Sequence, residues 1–424
     1  MEKRNIVVIE ATSSGVNYIH DIKELGYNPV CVEMYQEESE REMMRFLHDF
    51  QYSLIGESHD ILMADESYEK TFEMIKELDP LLIIPGSDLG IIWATKMAHE
   101  LGLPGNNPDI IEKMISKKKM QEALEDANLR HIRSKAISSF EEAREFASEL
   151  GSSKVVIKPS IGRASIGVCI CQSDDEIRNA INLDKDVVEH EGAGEMIIQE
   201  YIGGDEYVVD SVSCNGLNRV TAGYKYEKFV MEGGAAIYDY SISVDGSDPV
   251  FKDIMEYHKK VIPALGIEYG AIHAEYKFDE NGPALMEVNC RPNGGFQLYP
   301  VEDAAWGEHH SGASLEAYMD SDEFMKKYDR KLSMKNYYVL KDLIVPEECF
   351  VVKNNVETVF SDLESFKSAV AFGDDRVYPK TVDLSTDGGH IYLINADKDK
   401  LMEDVETIKN MNKYEIDKIL EIKS

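Results

Sequence analysis

Residues 270–295 read GAIHAEYKFDENGPALMEVNCRPNGG, a pattern in which polar and apolar side chains alternate. Such alternation is typical of half-buried β-strands. The polar positions are His273, Glu275 and Lys277 on a first strand, and Glu287, Asn289 and Arg291 on a second. The second strand carries Met286, Val288 and Cys290 on its apolar face. The turn residues between the two runs predict a single hairpin.

The register of this hairpin determines whether its polar side chains meet, because a slip of one residue turns a side chain to the opposite face. A loop that closes tightly on Asn281-Gly282 would set Glu275 opposite Val288. An odd-length loop centred on Asn281 would instead set Glu275 directly opposite Glu287, with about 4.5–5.5 Å between the Cβ atoms. The sequence leaves both registers open.

In the second register two carboxylates repel each other unless a cation lies between them. Asn289 adds a third oxygen donor, and three hard oxygen donors suit a Mg²⁺ ion that also contacts substrate phosphates. Arg291, two residues further along the same face, can hold an anion beside the metal. The alternative is a solvated hairpin face with scattered charges.

Length and composition limit the class of protein. A chain of 424 residues is long enough for two to four domains. Its formal net charge of −34 argues against a nucleic-acid partner, since nucleic-acid-binding domains usually show a basic face. Six cysteines without CxxC spacing predict reduced thiols in a cytoplasmic protein. Neither a signal peptide nor a membrane span is expected, because no apolar run is long enough.

The first 110 residues predict an open α/β domain with a parallel sheet. Asn5–Ile9 and Asn28–Glu33 are predicted strands on either side of a helix, and Leu81–Pro85 is a further buried strand. Asp88 follows the last of these strands, at the edge where open α/β sheets bind ligands. It could contact a substrate, but a position near the start of the helix predicted over 89–101 is slightly favoured.

A single helix is predicted over 109–127, with Lys117, Lys118 and Lys119 on it. A basic triplet of this kind is usually a solvated helix face. The next segments, 154–159 and 168–171, predict antiparallel strands joined by a loop that contains Ser160, Gly162, Ser165 and Gly167. Backbone N–H groups of such a loop, with Lys158 at its entrance, can fold over phosphates. An ordinary long hairpin is the alternative.

Two further segments complete the predicted chain. A strand over 196–202 runs into Gly203-Gly204-Asp205-Glu206 and then into a strand over 207–213, a link that could present backbone to adenine and a carboxylate to ribose. A plain connection between strands is the alternative. The last segment, 326–424, predicts strands and a helix in a small α+β cap without chemistry of its own.

The order of these elements resembles the ATP-grasp superfamily. The matching pieces, spread over residues 1–320, are Lys117, Lys158-Pro159 with its loop, Gln199-Glu-Tyr-Ile-Gly-Gly-Asp-Glu206, His273-Ala-Glu275 and Glu287-Val-Asn289-Cys-Arg291-Pro292. The resemblance implies an α/β domain over 1–110, an α+β ATP-grasp domain over 111–325 with a lid at about 129–196, and a C-terminal α+β domain over 326–424. The first is similar to the domain that precedes ATP-grasp modules in biotin-carboxylase-like proteins. Ala164 departs from the family, whose members commonly have a third loop glycine there.

The resemblance also implies roles for individual residues. ATP phosphates would be bound by one lysine of the triplet, with Lys117 favoured over Lys118 and Lys119, and by Lys158, Ser160, Gly162, Ser165 and Gly167. The nucleoside would be bound by Glu200, Tyr201, Ile202 and Glu206, with His273 also in the nucleotide site. One or two Mg²⁺ ions, or Mn²⁺ as the alternative, would be held by Glu275, Glu287 and Asn289. Arg291 and Lys158 would be the catalytic residues, acting on the reacting carboxylate and the transferred phosphoryl group.

Within the superfamily, Asn289-Cys-Arg-Pro-Asn-Gly-Gly295 looks most like the L-amino acid ligase branch. That branch implies an ATP-dependent carboxylate–amine ligase that forms ADP and phosphate through an acylphosphate. Its partners would be a small-molecule acid and an amine, with no nucleic acid or membrane, and a homodimer is left open. The alternatives are a purine-biosynthetic or biotin carboxylase-like enzyme and a catalytically silent nucleotide-binding protein. The sequence names neither the acid nor the amine.

Overall fold

The computed structural model describes residues 4–34, 38–162, 167–191, 195–230, 236–382 and 386–423. The first domain contains the strands β1 (Asn5–Ile9), β2 (Asn28–Glu33), β3 (Asp60–Met63) and β4 (Leu82–Pro85). Its helices are α1 (Asn17–Glu24), α2 (Glu38–Ile55), α3 (Tyr68–Glu77) and α4 (Ile91–Glu100). The sheet has the order β3-β2-β1-β4 and is parallel throughout, as predicted.

The strand order of this sheet reverses beside β1, and this marks a position at its carboxyl edge where a ligand could bind. The chain moves outward from β1 to β3 and then returns to the other side of β1, so β1 and β4 enclose the point at which the strand order reverses. Open α/β sheets bind ligands at the carboxyl ends of the strands at this point. Asp88 follows β4 there and begins a short 3₁₀ turn, Asp88–Gly90, ahead of α4.

The single helix predicted over 109–127 is wrong, because two helices, α5 (Ile111–Ile115) and α6 (Lys117–Asp126), occupy this segment. The break falls at Ser116, whose backbone is extended (φ −98°, ψ 115°). Its Oγ accepts a hydrogen bond from the backbone N–H of Lys119 at 3.4 Å, the usual role of a serine that begins a helix. The new helix therefore starts at Lys117, the first lysine of the triplet.

A second sheet of four antiparallel strands follows. Its elements are β5 (Ser134–Ala136), α7 (Phe140–Leu150), β6 (Val155–Pro159), β7 (Cys169–Cys171), α8 (Asp174–Glu191) and β8 (Met196–Glu200). The strand order is β5-β8-β6-β7, so the predicted antiparallel pair on either side of the glycine loop is present. The apolar core of this unit includes residues from its strands and from both helices. Residues 201–204 then connect it to the largest sheet.

The central sheet takes five strands from the next part of the chain. The strands and helices here are β9 (Asp205–Cys214), β10 (Leu217–Val230), β11 (Ala236–Ser243), α9 (Pro249–Leu265), β12 (Gly270–Asp279), β13 (Gly282–Asn289), α10 (Tyr299–Trp306), α11 (His310–Met319) and α12 (Ser321–Lys327). One face of β9, β12 and β13 packs on α6 and α9 in an apolar core. The opposite face carries the polar residues.

The C-terminal segment continues this central sheet. It contains β14 (Tyr337–Asp342), β15 (Cys349–Asn354), α13 (Val356–Phe360), β16 (Phe366–Ala371), β17 (Arg376–Tyr378), β18 (Gly389–Asn395), α14 (Lys398–Tyr414), α15 (Ile416–Ile419) and β19 (Leu420–Ile422). The central sheet has the order β13-β12-β9-β10-β11-β14-β18-β16, and β17-β15-β19 form a separate small sheet. The segment is thus joined to the central sheet through the β11–β14 ladder. No helix of the described ranges is long and apolar enough to span a membrane.

Candidate functional site

A cavity of about 440 Å³ lies between the second sheet, the central sheet and the carboxyl edge of the first. Most residues implied by the resemblance line it: Lys117, Lys158, Gly162, Glu200, Tyr201, Ile202, Glu206, His273, Glu275, Glu287, Asn289 and Arg291. Ser160 and Gly167 are not among the described residues that line the cavity. Ser165 falls outside the described residues.

The hairpin of β12 and β13 has Glu275 directly opposite Glu287, the register that brings the two carboxylates together. This register does not arise from an odd-length loop, because the turn is tight and pairs Asp279 with Gly282. The register instead shifts at a β-bulge between the Tyr276–Leu285 and Glu275–Glu287 pairs, which leaves Met286 as the extra residue. Met286, which the alternation assigned to the apolar face with Val288 and Cys290, lines the cavity.

Two buried lysines neutralise Glu287. The Nζ atom of Lys117 lies 2.7 Å from Glu287 Oε2 and also donates to the carbonyl oxygen of Gly162 at 2.9 Å. Burial opposes ionisation of Glu287, but the charges of Lys117 and Lys158 outweigh it and lower the pKa of this carboxyl group to about 2. Burial and the charge of Lys117 lower the pKa of Lys158 to about 8. The site is therefore a compact arrangement of alternating charges.

His273 stands beside the carboxylates in a buried hydrogen-bonded chain. Its Nδ1 lies 2.8 Å from Asp210 Oδ1, and its Nε2 lies 3.4 Å from Glu275 Oε1. Burial disfavours protonation, but the charge of Asp210 and the hydrogen bonds to both carboxylates raise the pKa of His273 to about 9. Both ring nitrogens of the imidazolium then donate, which fixes the orientation of Glu275.

Arg291 forms a two-point contact with Asp88. Its Nε and Nη2 atoms donate to the two carboxylate oxygens of Asp88, each at 2.9 Å, and Nη1 donates to the carbonyl oxygen of Pro292 at 3.0 Å. The favoured interpretation of Asp88, as a residue at a helix start, is incomplete because its carboxylate faces the cavity. The pair joins the first sheet to the hairpin.

In the part of the cavity formed by β8–β10 and β12, the two carboxylates expected to contact the nucleoside lie close to cationic side chains of the protein. Glu206 is buried and lies 2.6 Å from Lys228 Nζ and 3.1 Å from Lys277 Nζ. Despite its burial, these two charges keep the pKa of Glu206 below its usual value. Glu200 faces Arg133, whose Nε is 3.3 Å from Glu200 Oε2. Glu206 is therefore already paired with cations on neighbouring strands.

The three lysines of the triplet have different partners, and Ser160 contacts the first of them. Lys117 is buried at the cavity, whereas Lys118 pairs with Glu195 at 2.7 Å and Lys119 with Glu122 at 2.8 Å. Ser160 is buried and uses its backbone: its carbonyl oxygen accepts from the N–H of Lys117 at 2.8 Å. Ser160 is not among the residues that line the cavity, and its role in phosphate binding stays a prediction.

Several further residues that line the cavity were not predicted as site residues. They come from β10, β11, β14 and the loop after β13: Tyr226, Lys228, Tyr238, Ser241, Asn293, Gln297, Leu340 and Asp342. The alternation in Tyr224-Lys-Tyr-Glu-Lys228 could have indicated that Tyr226 and Lys228 share a strand face. Leu340 and Asp342 could not have been found this way, because their position depends on the pairing of β14 with β11. The C-terminal segment thus forms part of the cavity wall, contrary to expectation.

Comparison with known proteins agrees with this geometry. The model of the ATP-grasp domain family matches residues 152–299. Dapdiamide A synthase from Enterobacter agglomerans is 26% identical over 304 residues, which is 71% of this chain and 70% of that protein. Alanine–anticapsin ligase from Bacillus subtilis (strain 168) is 22% identical over 247 residues, 54% of this chain and 52% of that protein.

The chain therefore contains an ATP-grasp domain. Among solved structures, the L-amino acid ligase from Bacillus licheniformis matches 97% of this chain and 98% of its own, with a TM-score of 0.74 and 16% sequence identity. At this identity the likeness concerns the fold. These relatives are named as a synthase and as ligases.

Proposed function

We propose that the protein is an ATP-dependent, ADP-forming carboxylate–amine ligase whose acid substrate is an amino acid. The observation that supports this most directly is the convergence of Lys117, Lys158, Glu275, Glu287 and Arg291 on one cavity. The proposal includes the domain limits expected from the sequence, a cytoplasmic location and small-molecule substrates.

The proposed reaction has two steps. An oxygen of the substrate carboxylate attacks the γ-phosphorus of ATP, the bond to the β-phosphate oxygen breaks, and ADP leaves. The amine nitrogen then attacks the acyl carbon, the bond to the phosphate oxygen breaks, and phosphate leaves while the nitrogen loses a proton. Lys117 and Lys158 would screen the phosphates, and Arg291 would orient the carboxylate.

The donor set on the hairpin fits Mg²⁺. Glu275 and Glu287 are opposite each other, and the Nδ2 of Asn289 donates to Glu287 Oε1 at 3.2 Å, so the Asn289 carboxamide is beside the carboxylates. Oxygen donors of this kind suit a small hard cation. When bound, Mg²⁺ would reduce the charge repulsion between phosphates and carboxylates. Lys117, which now pairs with Glu287, would then be available to the nucleotide.

The test is ADP release by the purified protein with Mg²⁺, ATP, and pairs of amino acids and amines, with mass spectrometry of the product. ADP release that requires both an acid and an amine supports the proposal. Binding of ATP without any acid-dependent ADP release would favour the alternative of a silent nucleotide-binding protein.

Lys117 and Lys119 offer a matched pair of substitutions. We expect Lys117→Met to weaken ATP binding about tenfold or more, because it removes a buried charge from the cavity. Lys119→Met should leave affinity unchanged, since this side chain pairs with Glu122 outside the cavity. Calorimetric titration with ATP and Mg²⁺ measures both. Equal affinities of the two variants would remove Lys117 from the nucleotide site.

Nucleotide affinity should fall as the pH rises above about 8. Lys158 has its pKa lowered to about 8, so the ligand-free protein loses this positive charge in mildly alkaline solution. Binding of phosphates then requires uptake of a proton, and the apparent affinity declines by up to about tenfold per pH unit. Titrations between neutral and alkaline pH would show this slope. Lys158→Arg keeps its charge and should flatten it, and an unchanged slope would contradict the assignment.

A further inference from the structure

The cavity extends across β11 to β14, where a buried hydroxyl group lacks a partner. Ser241 lies directly opposite Leu340 in the β11–β14 ladder, and both line the cavity together with Asp342. Ser241 is 6% exposed, and its Oγ has no hydrogen-bond partner among the described residues. A buried polar group without a partner is costly, so this hydroxyl is suited to a ligand.

This end of the cavity adjoins Arg291 through a short segment. A Cβ atom added to Gly294 would lie 4.0 Å from the two terminal guanidinium nitrogens of Arg291. A Cβ atom added to the next residue, Gly295, would lie 3.5 Å from Leu340 Cδ2. Gly294 thus lies near the guanidinium group, and Gly295 lies near β14. Arg291 and Asp342 line the same cavity.

Asp342 belongs to a buried group of two carboxylates and one histidine. The Nδ1 of His390 donates to Asp342 Oδ1 at 2.9 Å, and the Nε2 of His390 lies 4.0 Å from Asp387 Oδ2. Burial disfavours protonation of His390, but the charges of Asp387 and Asp342 outweigh it and raise its pKa to about 9. Two carboxylates thus face one imidazolium, and Asp342 is the carboxylate that lines the cavity.

Two aliphatic side chains, Leu340 and Val382, also line the cavity. A carboxylate and a hydroxyl beside aliphatic side chains suit an ammonium group carried on a methylene chain. They do not suit a second anion, which the carboxylate would repel.

We infer that the region formed by Ser241, Leu340, Asp342 and Val382, here called the β14 subsite, binds an ammonium group of the acid substrate. Asp342 would accept its hydrogen bonds, and Ser241 would supply a further oxygen. The inference rests on the proposed function, because it takes Arg291 as the group that holds the substrate carboxylate. The subsite would then contribute to specificity, since an ammonium group would give Asp342 a second opposite charge beside His390, which a neutral group does not supply.

The β14 subsite can be tested with acids that share a six-carbon chain and differ only in the number and position of their amino groups. The probes are hexanoate, norleucine, 6-aminohexanoate and lysine, titrated calorimetrically with Mg²⁺ and a non-hydrolysable ATP analogue present. We expect at least one of the amino-bearing acids to bind about tenfold or more tightly than hexanoate. Asp342→Asn should remove most of this preference.

Asp342→Asn also alters the contact with His390, so it can change stability as well as binding. Two serine variants separate these two effects. Ser241→Ala should reduce the preference severalfold without lowering the melting temperature, since its hydroxyl has no partner to lose. Ser243→Ala is the matched control on the same strand: its Oγ accepts from the backbone N–H of Tyr338 at 2.9 Å. This variant should lower the melting temperature and keep the preference.

Three results would overturn the subsite: equal binding of all the acids by the parent protein, no binding by any of them, or an undiminished preference in Asp342→Asn and Ser241→Ala. These readouts do not depend on turnover. ADP release without any preference would overturn the subsite alone. A preference without ADP release for any acid and amine would support the subsite and count against the ligase.

Discussion

Replacement of Glu287 by glutamine is expected to abolish ADP-forming turnover while the chain still folds. The substitution keeps the volume of the side chain but removes one charge from the three oxygen donors proposed to hold Mg²⁺. It also leaves Lys117, 2.7 Å away, without its carboxylate partner. ADP release under saturating ATP and Mg²⁺ measures the effect, and turnover within a few-fold of the parent would refute the metal assignment.

The same variant should be less stable than the parent. The repulsion between Glu275 and Glu287 alone predicts a slight gain in stability, but the buried ion pair with Lys117 reverses that expectation. Loss of this pair should lower the free energy of unfolding by about 1–3 kcal/mol near neutral pH.

The pH dependence follows from the pKa of about 2 in the folded state, below the ordinary value of 4.5. The stabilisation by Glu287 is fully present above the unfolded-state pKa and is lost as the pH falls toward 2. Parent and Glu287→Gln should therefore converge in acid. Thermal melts at several pH values provide the check, with Glu275→Gln as a control that leaves the Lys117 pair intact.

Arg291→Lys is expected to lower the ligase rate by about 10²-fold or more with little change in ATP affinity. Lysine keeps the positive charge but lacks the planar fork that matches a carboxylate. A loss of this size is comparable to removal of one preorganised donor at a developing oxyanion. Single-turnover ADP formation and ATP titration of the same preparation would measure both quantities.

Arg291 also contacts Asp88, so a loss of turnover in Arg291→Lys could come from the loss of this pair, and Asp88→Asn serves as the control. If Arg291 serves only to pair with Asp88, then Arg291→Lys and Asp88→Asn should lower the melting temperature similarly and retain parental turnover. If Arg291 holds the acid and Asp88 orients it, Arg291→Lys should cost far more turnover than Asp88→Asn. Unchanged affinity together with unchanged turnover in Arg291→Lys would remove this residue from the catalytic list.

Local patterns predicted the parts of the site that lie on one hairpin or directly after one strand. Alternation along β12 and β13 identified the polar face that carries Glu275 and Glu287, and the strand ending at Pro159 placed Lys158 at the loop entrance. The bulge at Met286 was not predictable, because a tight and a longer loop fit the same turn residues. Its position depends on how β13 packs against the core.

Contacts between distant segments were not predictable from periodicity. Asp88 meets Arg291 across 203 positions of sequence, and Lys228 meets Glu206 through the pairing of β10 with β9. The break at Ser116 also escaped the pattern, because the apolar spacing continues through it while the serine side chain begins a new helix. Each of these features is determined by tertiary packing.

The pairing of β14 with β11 has a consequence for synthesis of the chain on the ribosome. Until residues 337–342 emerge, β11 has unpaired backbone groups along one side, and an exposed strand edge of this kind promotes association between chains. A chain that stops before Tyr337 should therefore aggregate, which light scattering of the truncated protein would detect, and a monodisperse product would contradict this. β14 thus pairs with the strand edge that β11 exposes while the chain is being synthesised, and so protects it from other chains.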